Sequence, residues 1–154
     1  MAFSLKPVAV REWGPVAEET KTIKQSEFIP GAKPEEVYSA LIDARKHAAF
    51  TGSPATGANR VGGKFTAWDG YITGKNLKLE PGKRIVQEWK TTEWPAGSPP
   101  SRLEWTFEAK AGGTQAVLIH SEVPSSQAES YRQGWIDYYW DPLKKYFGPA
   151  AKDG

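Results

Sequence analysis

The chain has few side chains suited to acid–base, nucleophilic or metal chemistry. There are two histidines, His47 and His120, and no cysteine in 154 residues. Without cysteine there is neither a thiol nucleophile nor a disulfide framework, and no Gly-x-Ser-x-Gly elbow presents a serine. His120 falls in a strand-like run with Leu118 and Glu122, a spacing of two that puts all three on one face. His120 and Glu122 are two ligands from one strand, short of the three or four that zinc takes. His120 is therefore expected to be structural. His47 lies in a short helical run and is expected near the surface. Asp137 and Asp141, four apart on a helix, share an edge and could do acid–base work; beside Lys144 and Lys145 they read instead as a solvated edge. Gly62-Gly63-Lys64 is not a phosphate loop, because Phe65 stands where Ser or Thr is required and Ala58 where the first glycine is required. No catalytic residue, no metal and no cofactor is expected.

What remains is aromatic. The chain has 7 Trp, 6 Tyr and 6 Phe, and each buried ring removes on the order of 150–250 Å² from water. Most must fill a core. If the elements carrying them do not fully meet, an apolar pocket is left with tyrosine hydroxyls as polar handles. Phe65, Trp89, Trp105, Phe107, Trp135 and Tyr138 are the residues expected to line such a cavity. Trp94 differs, because it abuts the loop Pro95-Ala96-Gly97-Ser98-Pro99-Pro100 and is expected as an exposed partner contact, with Arg60 and Lys64 as basic companions.

The elements that must position these rings follow from periodicity and punctuation. Thr22–Ile29 reads as a first strand ended by Pro30-Gly31. Pro34-Glu35-Glu36 opens a helix, with proline suited to the first position and two acids to the positive end of the dipole, although Lys33 is a poor cap. Arg45–Phe50 is a second short helix. After the loop 53–63, Lys64–Trp68 and Tyr71–Thr73 flank Asp69-Gly70, a two-residue hairpin signal; the second of these strands runs on to Leu79. Strands over Arg84–Trp94, Arg102–Ala109 and Thr114–Val123 follow. In Arg102–Ala109 the alternation Leu103, Trp105, Phe107, Ala109 marks one buried face. Gln127–Phe147 then repeats apolar residues at helical spacing (Ala128, Tyr131, Trp135, Tyr138/Tyr139, Leu143, Tyr146). Ser126-x-x-Glu129 is a capping-box pattern before it, and Pro142 should kink it. An α+β fold follows, in which one antiparallel sheet wraps a long terminal helix.

Length and charge bound the rest. One domain is expected over residues 20–148, with a flexible N-terminal arm over 1–19 and a tail over 149–154. Trp13 within the arm is expected to dock on the body. Net charge is +2, too small to imply nucleic acid. Residues 60–90 carry seven bases against three acids, read as a solvated sheet face, with a docking face for an acidic partner as the sharper alternative. No segment is long and apolar enough to span a bilayer, and the N-terminus lacks a signal-peptide pattern. A cytoplasmic monomer is expected.

One set of motifs is family-specific. Gly62-Gly63-Lys64-Phe65, Asp69-Gly70, Gly74, Pro81, Ile85-Val86 and Trp89 come first. Trp94-Pro95, Leu103, Thr106-Phe107, Gly113 and Pro124 follow, and then Gln133-Gly134-Trp135, Tyr138-Tyr139, Leu143-Lys144 and Phe147-Gly148. Over residues 21–148 this resembles the C-terminal domain of the activator of 90-kDa heat-shock protein ATPase. The resemblance implies a helix-grip fold, similar to the birch-pollen-allergen and START folds: a curved, seven-strand-like sheet with two short helices and a long C-terminal helix. In that activator the domain is the second of two, and the residues before 21 are too few to hold the first, so a lone domain is expected. The resemblance implies a non-catalytic binding domain, a stress-related co-chaperone-like module whose partner is a heat-shock chaperone of the 90-kDa class. The superfamily implies a second reading, an apolar small molecule or lipid held between helix and sheet. An enzyme ranks below both, because no polar dyad is evident.

Overall fold

The computed structural model describes residues 18–148. Trp13, with the rest of the arm up to residue 17, and the tail at 149–154 lie outside the described residues.

Seven strands form one antiparallel sheet in the order β1-β7-β6-β5-β4-β3-β2. They are β1 (Thr20–Pro30), β2 (Thr56–Gly57), β3 (Lys64–Ala67), β4 (Ile72–Glu80), β5 (Arg84–Thr91), β6 (Ser101–Lys110) and β7 (Gly113–Pro124). Between β1 and β2 come α1 (Pro34–Ile42) and α2 (Ala44–Thr51). α1 opens on Pro34 as expected, and with Lys33 unable to cap as an acceptor, the Glu36 carboxylate accepts from the Lys33 N–H at 2.8 Å. α2 is capped by Asp43, which accepts from the N–H groups of Arg45 and Lys46 at 3.0 and 3.1 Å.

The period of two in β6 is realised: Leu103, Trp105 and Phe107 are buried, while Arg102 and Glu108 are exposed. Ala109 is exposed where the strand leaves the core. On β7 the alternation fails at one point. Ile23 pairs with His120 but Lys21 pairs with Val123, so β7 holds one residue more than β1 there. Glu122 takes up the bulge at φ 60°. The bulge turns Glu122 to solvent while His120 is fully buried, so the two do not share a face as the bare spacing implied.

The β3–β4 turn is also wider than two residues. Ala67 pairs with Ile72, leaving Trp68–Tyr71 as the connection, and Trp68, Asp69 and Gly70 take φ of 52°, 57° and 87°. Trp68 and Tyr71 thereby leave the ladder instead of ending the strands.

The C-terminal helix is continuous but not uniform. α3 (Ala128–Trp135) runs into a widened π-turn over Ile136–Trp140 and then α4 (Asp141–Phe147). The Asp141 N–H donates to the Ile136 carbonyl, five residues back. Pro142 has no N–H to give the Tyr138 carbonyl, and the distortion expected at proline takes the form of this wider turn just before it. Its consequence is positional: Tyr139 and Trp140 both point inward, while Tyr138 is 54% exposed. The capping box at Ser126 is not formed. Glu18 instead accepts from the Ser126 N–H (2.7 Å) and from the hydroxyls of Ser126 and Ser125 (2.9 and 3.3 Å), pinning the start of β1 to the start of α3. Lower down, Gln25 of β1 donates to the Arg132 carbonyl and accepts from the Trp140 indole N–H, and Lys144 pairs with Glu27. The helix is thus held across the sheet, and the core between them is aromatic. Trp105 sits at its centre, 5.3 Å from Trp140, 5.7 Å from Trp135 and 6.3 Å from Tyr139, measured between ring centres.

Candidate functional site: an aromatic pocket at the helix–hairpin seam

Where the β3–β4 turn faces the helix, the two do not close. They leave an open apolar pocket of about 340 Å³. Trp89 and Ile72 of the sheet and Trp135 and Tyr139 of the helix form its inner wall. Trp68, Tyr71, Tyr131 and Tyr138 surround them, and Gly134 contributes bare backbone. Each placement has a local cause. The positive φ of Trp68 swings its ring to 5.2 Å from Tyr138, edge on. Tyr71 is anchored by donating to the Glu93 carboxylate at 2.7 Å. The Tyr131 hydroxyl donates to Gln127 at 2.6 Å and shares a 2.6 Å hydrogen bond with Thr91. A Cβ on Gly134 would meet only Tyr138, at 3.9 Å, so there is open space at that point of the helix.

The two histidines sit behind this wall and are committed there. His120 accepts from the Trp135 indole N–H through Nδ1 at 3.1 Å. Because Nδ1 accepts, Nε2 carries the proton. It therefore donates to Ser101 Oγ, 2.8 Å away, and Ser101 donates onward to the Trp89 carbonyl at 2.6 Å. Burial lowers the His120 pKa to about 3. His47, expected near the surface, is buried, with Nε2 2.9 Å from the Tyr139 hydroxyl and its ring 5.2 Å from Phe50. Burial lowers its pKa to about 4. Its partner lies 92 residues away in the chain, which no local pattern reveals. Burial also raises Tyr71, Tyr131 and Tyr139, with the Glu93 carboxylate reinforcing the effect at Tyr71. These phenols are neutral donors and acceptors at physiological pH, and both imidazoles are neutral too. The wall itself offers apolar surface and hydroxyls; the buried Trp68 indole N–H and His47 Nδ1 have no hydrogen-bond partner among the described residues.

Of the residues expected to line a cavity, Trp89, Trp135 and Tyr138 line this pocket. Phe65 and Trp105 lie deeper, around a cavity of about 40 Å³ shared with Trp89, Trp135, Asn76 and Gln87, which is room for about one water molecule. Phe107 packs between Trp105 and Tyr38 at ring distances of 6.5 and 6.3 Å, toward the α1 side. Trp94 is half-buried rather than exposed. It stacks on Tyr131 at 6.0 Å and donates its N–H to the Pro99 carbonyl. Arg60 and Lys64 are exposed. Lys64 faces away from the helix, in a hollow on the outer side of the sheet with Lys75, Glu88 and Lys90. Trp94 thus packs toward the helix, while Lys64 lies on the outer side of the sheet. Sequence reasoning left Trp68, Tyr71, Tyr131, Gly134 and Tyr139 off the site. Only Gly134 carried a local signal, a glycine inside an otherwise strong helix, where alanine is favoured by about 1 kcal/mol.

Among the described residues there is no group of three or more His, Cys, Asp or Glu placed to hold a metal ion, and no helix is long and apolar enough to cross a membrane. Comparison with known proteins gives a consistent set of relatives. The family model described as "Activator of Hsp90 ATPase homolog 1-like protein" matches residues 31–148. The human protein named "Activator of 90 kDa heat shock protein ATPase homolog 1" is 36% identical over 119 residues, covering 77% of this chain and 35% of that one. A Dictyostelium discoideum activator homologue is 32% identical over 134 residues, covering 86% of this chain and 34% of its own. The crystal structure of an HSP90 activator from Plasmodium falciparum superposes with a TM-score of 0.73 at 24% identity, covering 84% of this chain and 96% of that one; at that identity the likeness shows the fold. The chain spans about a third of the length of the curated relatives it matches.

Proposed function

The chain belongs to the Activator of Hsp90 ATPase homolog 1-like family, and on that premise we propose that it is a non-catalytic binding domain that engages a heat-shock chaperone of the 90-kDa class and stimulates its ATPase. The observation that carries this reading is the character of the pocket. An open aromatic seam lies on the surface, the hydroxyls of Tyr71, Tyr131 and Tyr139 are engaged, and each imidazole behind it is held by at least one side-chain hydrogen bond. Such a surface offers burial of apolar groups and shape, the terms that dominate protein association. Its lining carries no carboxylate, imidazole or amine among the described residues, which favours binding over acid–base chemistry. On this reading the domain acts in the cytoplasm, as a monomer, in the stress response. Titrating the isotope-labelled domain with the chaperone of the same cell tests the proposal. Loss of the Gly134, Tyr138 and Trp68 signals on complex formation is expected; an unperturbed spectrum at a several-fold excess of chaperone would overturn it.

The pocket also supports a second reading, an apolar small molecule or lipid as its occupant. The favouring observation is Gly134: the helix forgoes a better helix former where a side chain would enter the pocket. Its volume of about 340 Å³ is at the small end of the roughly 300–1,000 Å³ of ligand pockets. Native mass spectrometry of the protein isolated from its own cells tests this. A retained ligand displaced by Gly134→Leu supports it, and an unliganded mass contradicts it.

A further inference from the structure

A second hollow lies along the same helix, past Tyr138. On the next edge of the same helix, Phe50, Pro142 and Tyr146 border a hollow of about 390 Å³ that also holds Asp137, Asp141 and Lys145. Tyr138 and Tyr146 are 54% and 44% exposed, an unusual display of rings beside an open apolar pocket. Among the described residues neither Asp137 nor Asp141 is in an ion pair. Lys144 is taken by Glu27 across the sheet, Asp137 accepts from the Gln133 amide at 3.0 Å, and Lys145 borders the same hollow without closing an ion pair among the described residues. Gly134 and Tyr138 line the pocket, and Asp137 and Asp141 line the neighbouring hollow on the same helix. A segment that seats a side chain beside Gly134 and runs along the helix toward Pro142 meets two carboxylates and one lysine.

We propose that this seam docks a partner segment carrying one bulky apolar side chain and, within a few residues of it, lysine or arginine. The inference rests on the reading of the chain as a protein-binding domain and names the chemistry of what it binds. The pocket is sized for a large side chain, and the acidic edge supplies the charge selection that an apolar pocket lacks. The contact surface is then the helix–hairpin seam, and not the outer sheet face bearing Lys64 and Lys75.

The test uses two probe peptides, Gly-Ser-Trp-Ser-Arg-Lys-Ser-Gly and its counterpart with Glu-Glu in place of Arg-Lys, titrated into the labelled full chain. The basic peptide is expected to shift Gly134 and Tyr138 with a dissociation constant of roughly millimolar or below, and the acidic peptide to bind more weakly. The double variant Asp137→Lys/Asp141→Lys, on exposed positions that do not threaten folding, should weaken the basic peptide by about threefold to tenfold and invert the preference. Gly134→Leu should abolish the shifts, and Lys64→Glu/Lys75→Glu should leave them unchanged. Equal binding of the two peptides, indole alone binding as tightly as the basic peptide, or shifts confined to the outer sheet face would overturn the proposal. So would shifts that appear only when residues 1–17 are removed, which would make this chain's own segment the occupant. None of these outcomes bears on whether the chaperone binds at all, which the titration with the chaperone itself decides.

Discussion

Trp135 joins the helix to the sheet twice, through its ring against Trp89 and Trp105 and through its indole N–H to His120. Trp135→Ala should therefore cost about 3–5 kcal/mol, the range for emptying a buried aromatic site. Urea unfolding measures it, and a loss under ~1 kcal/mol, as for surface positions, would show that Trp135 is no anchor. The histidines give a second expectation. The folded protein holds His47 and His120 neutral, with pKa about 4 and about 3, against 6.5 for an unperturbed imidazole. Below pH 6.5 the unfolded chain takes up protons that the folded one refuses. Stability is therefore complete above about pH 7 and falls with pH by about 1.4 kcal/mol per unit per histidine, the His47 share levelling off near pH 4. Glu18, whose carboxyl is held below 4.5 by its bonds to Ser126 and Ser125, works in the same direction only at lower pH. Urea midpoints between pH 7 and 5 thus isolate the histidines. The midpoint should fall over that range and fall less in His47→Gln; an unchanged midpoint contradicts the buried neutral assignment.

At the scale of elements, two glycines make opposite predictions. A Cβ at Gly74 would lie 2.1 Å from the Glu88 carbonyl oxygen and 2.5 Å from the Phe65 ring, so Gly74→Ala must move backbone and is expected to destabilise by about 1–3 kcal/mol. At Gly134 the only neighbour is Tyr138 at 3.9 Å, so Gly134→Ala should stabilise by up to about 1 kcal/mol. Thermal melts of both variants check this, and a destabilising Gly134→Ala would mean the helix is strained there. The same elements show what a sequence can reveal. The buried run Leu103, Trp105, Phe107 and the inward Tyr131 and Trp135 were legible, because strand and helix periods are local properties of the chain. The π-turn was legible only as a proline defect at Pro142, since relieving it by a wider turn depends on what Tyr139 and Trp140 pack against. The Glu122 bulge and the burial of His47 were hidden, because both are set by partners far away in sequence. The site was half legible for the same reason. Trp89, Trp135 and Tyr138 could be picked as large rings on the right elements, but the αL conformation of Trp68, which brings its ring to the pocket, shows in no spacing.

At the scale of the whole molecule, a seven-stranded sheet grips one helix, and the grip is incomplete at one seam. Residues 31–148 match the activator family, and the chain spans about a third of the length of its curated relatives. The charged outer face around Lys64 and Lys75 and the aromatic seam around Gly134 lie on opposite sides of the sheet, which lets their roles be separated by mutation. The most direct measurement is the ATPase rate of the 90-kDa-class chaperone from the same cell as wild-type domain is added. A saturable rise, blunted by Gly134→Leu and kept by Lys64→Glu/Lys75→Glu, is the predicted result; a rate that stays flat under a large excess of the domain contradicts it.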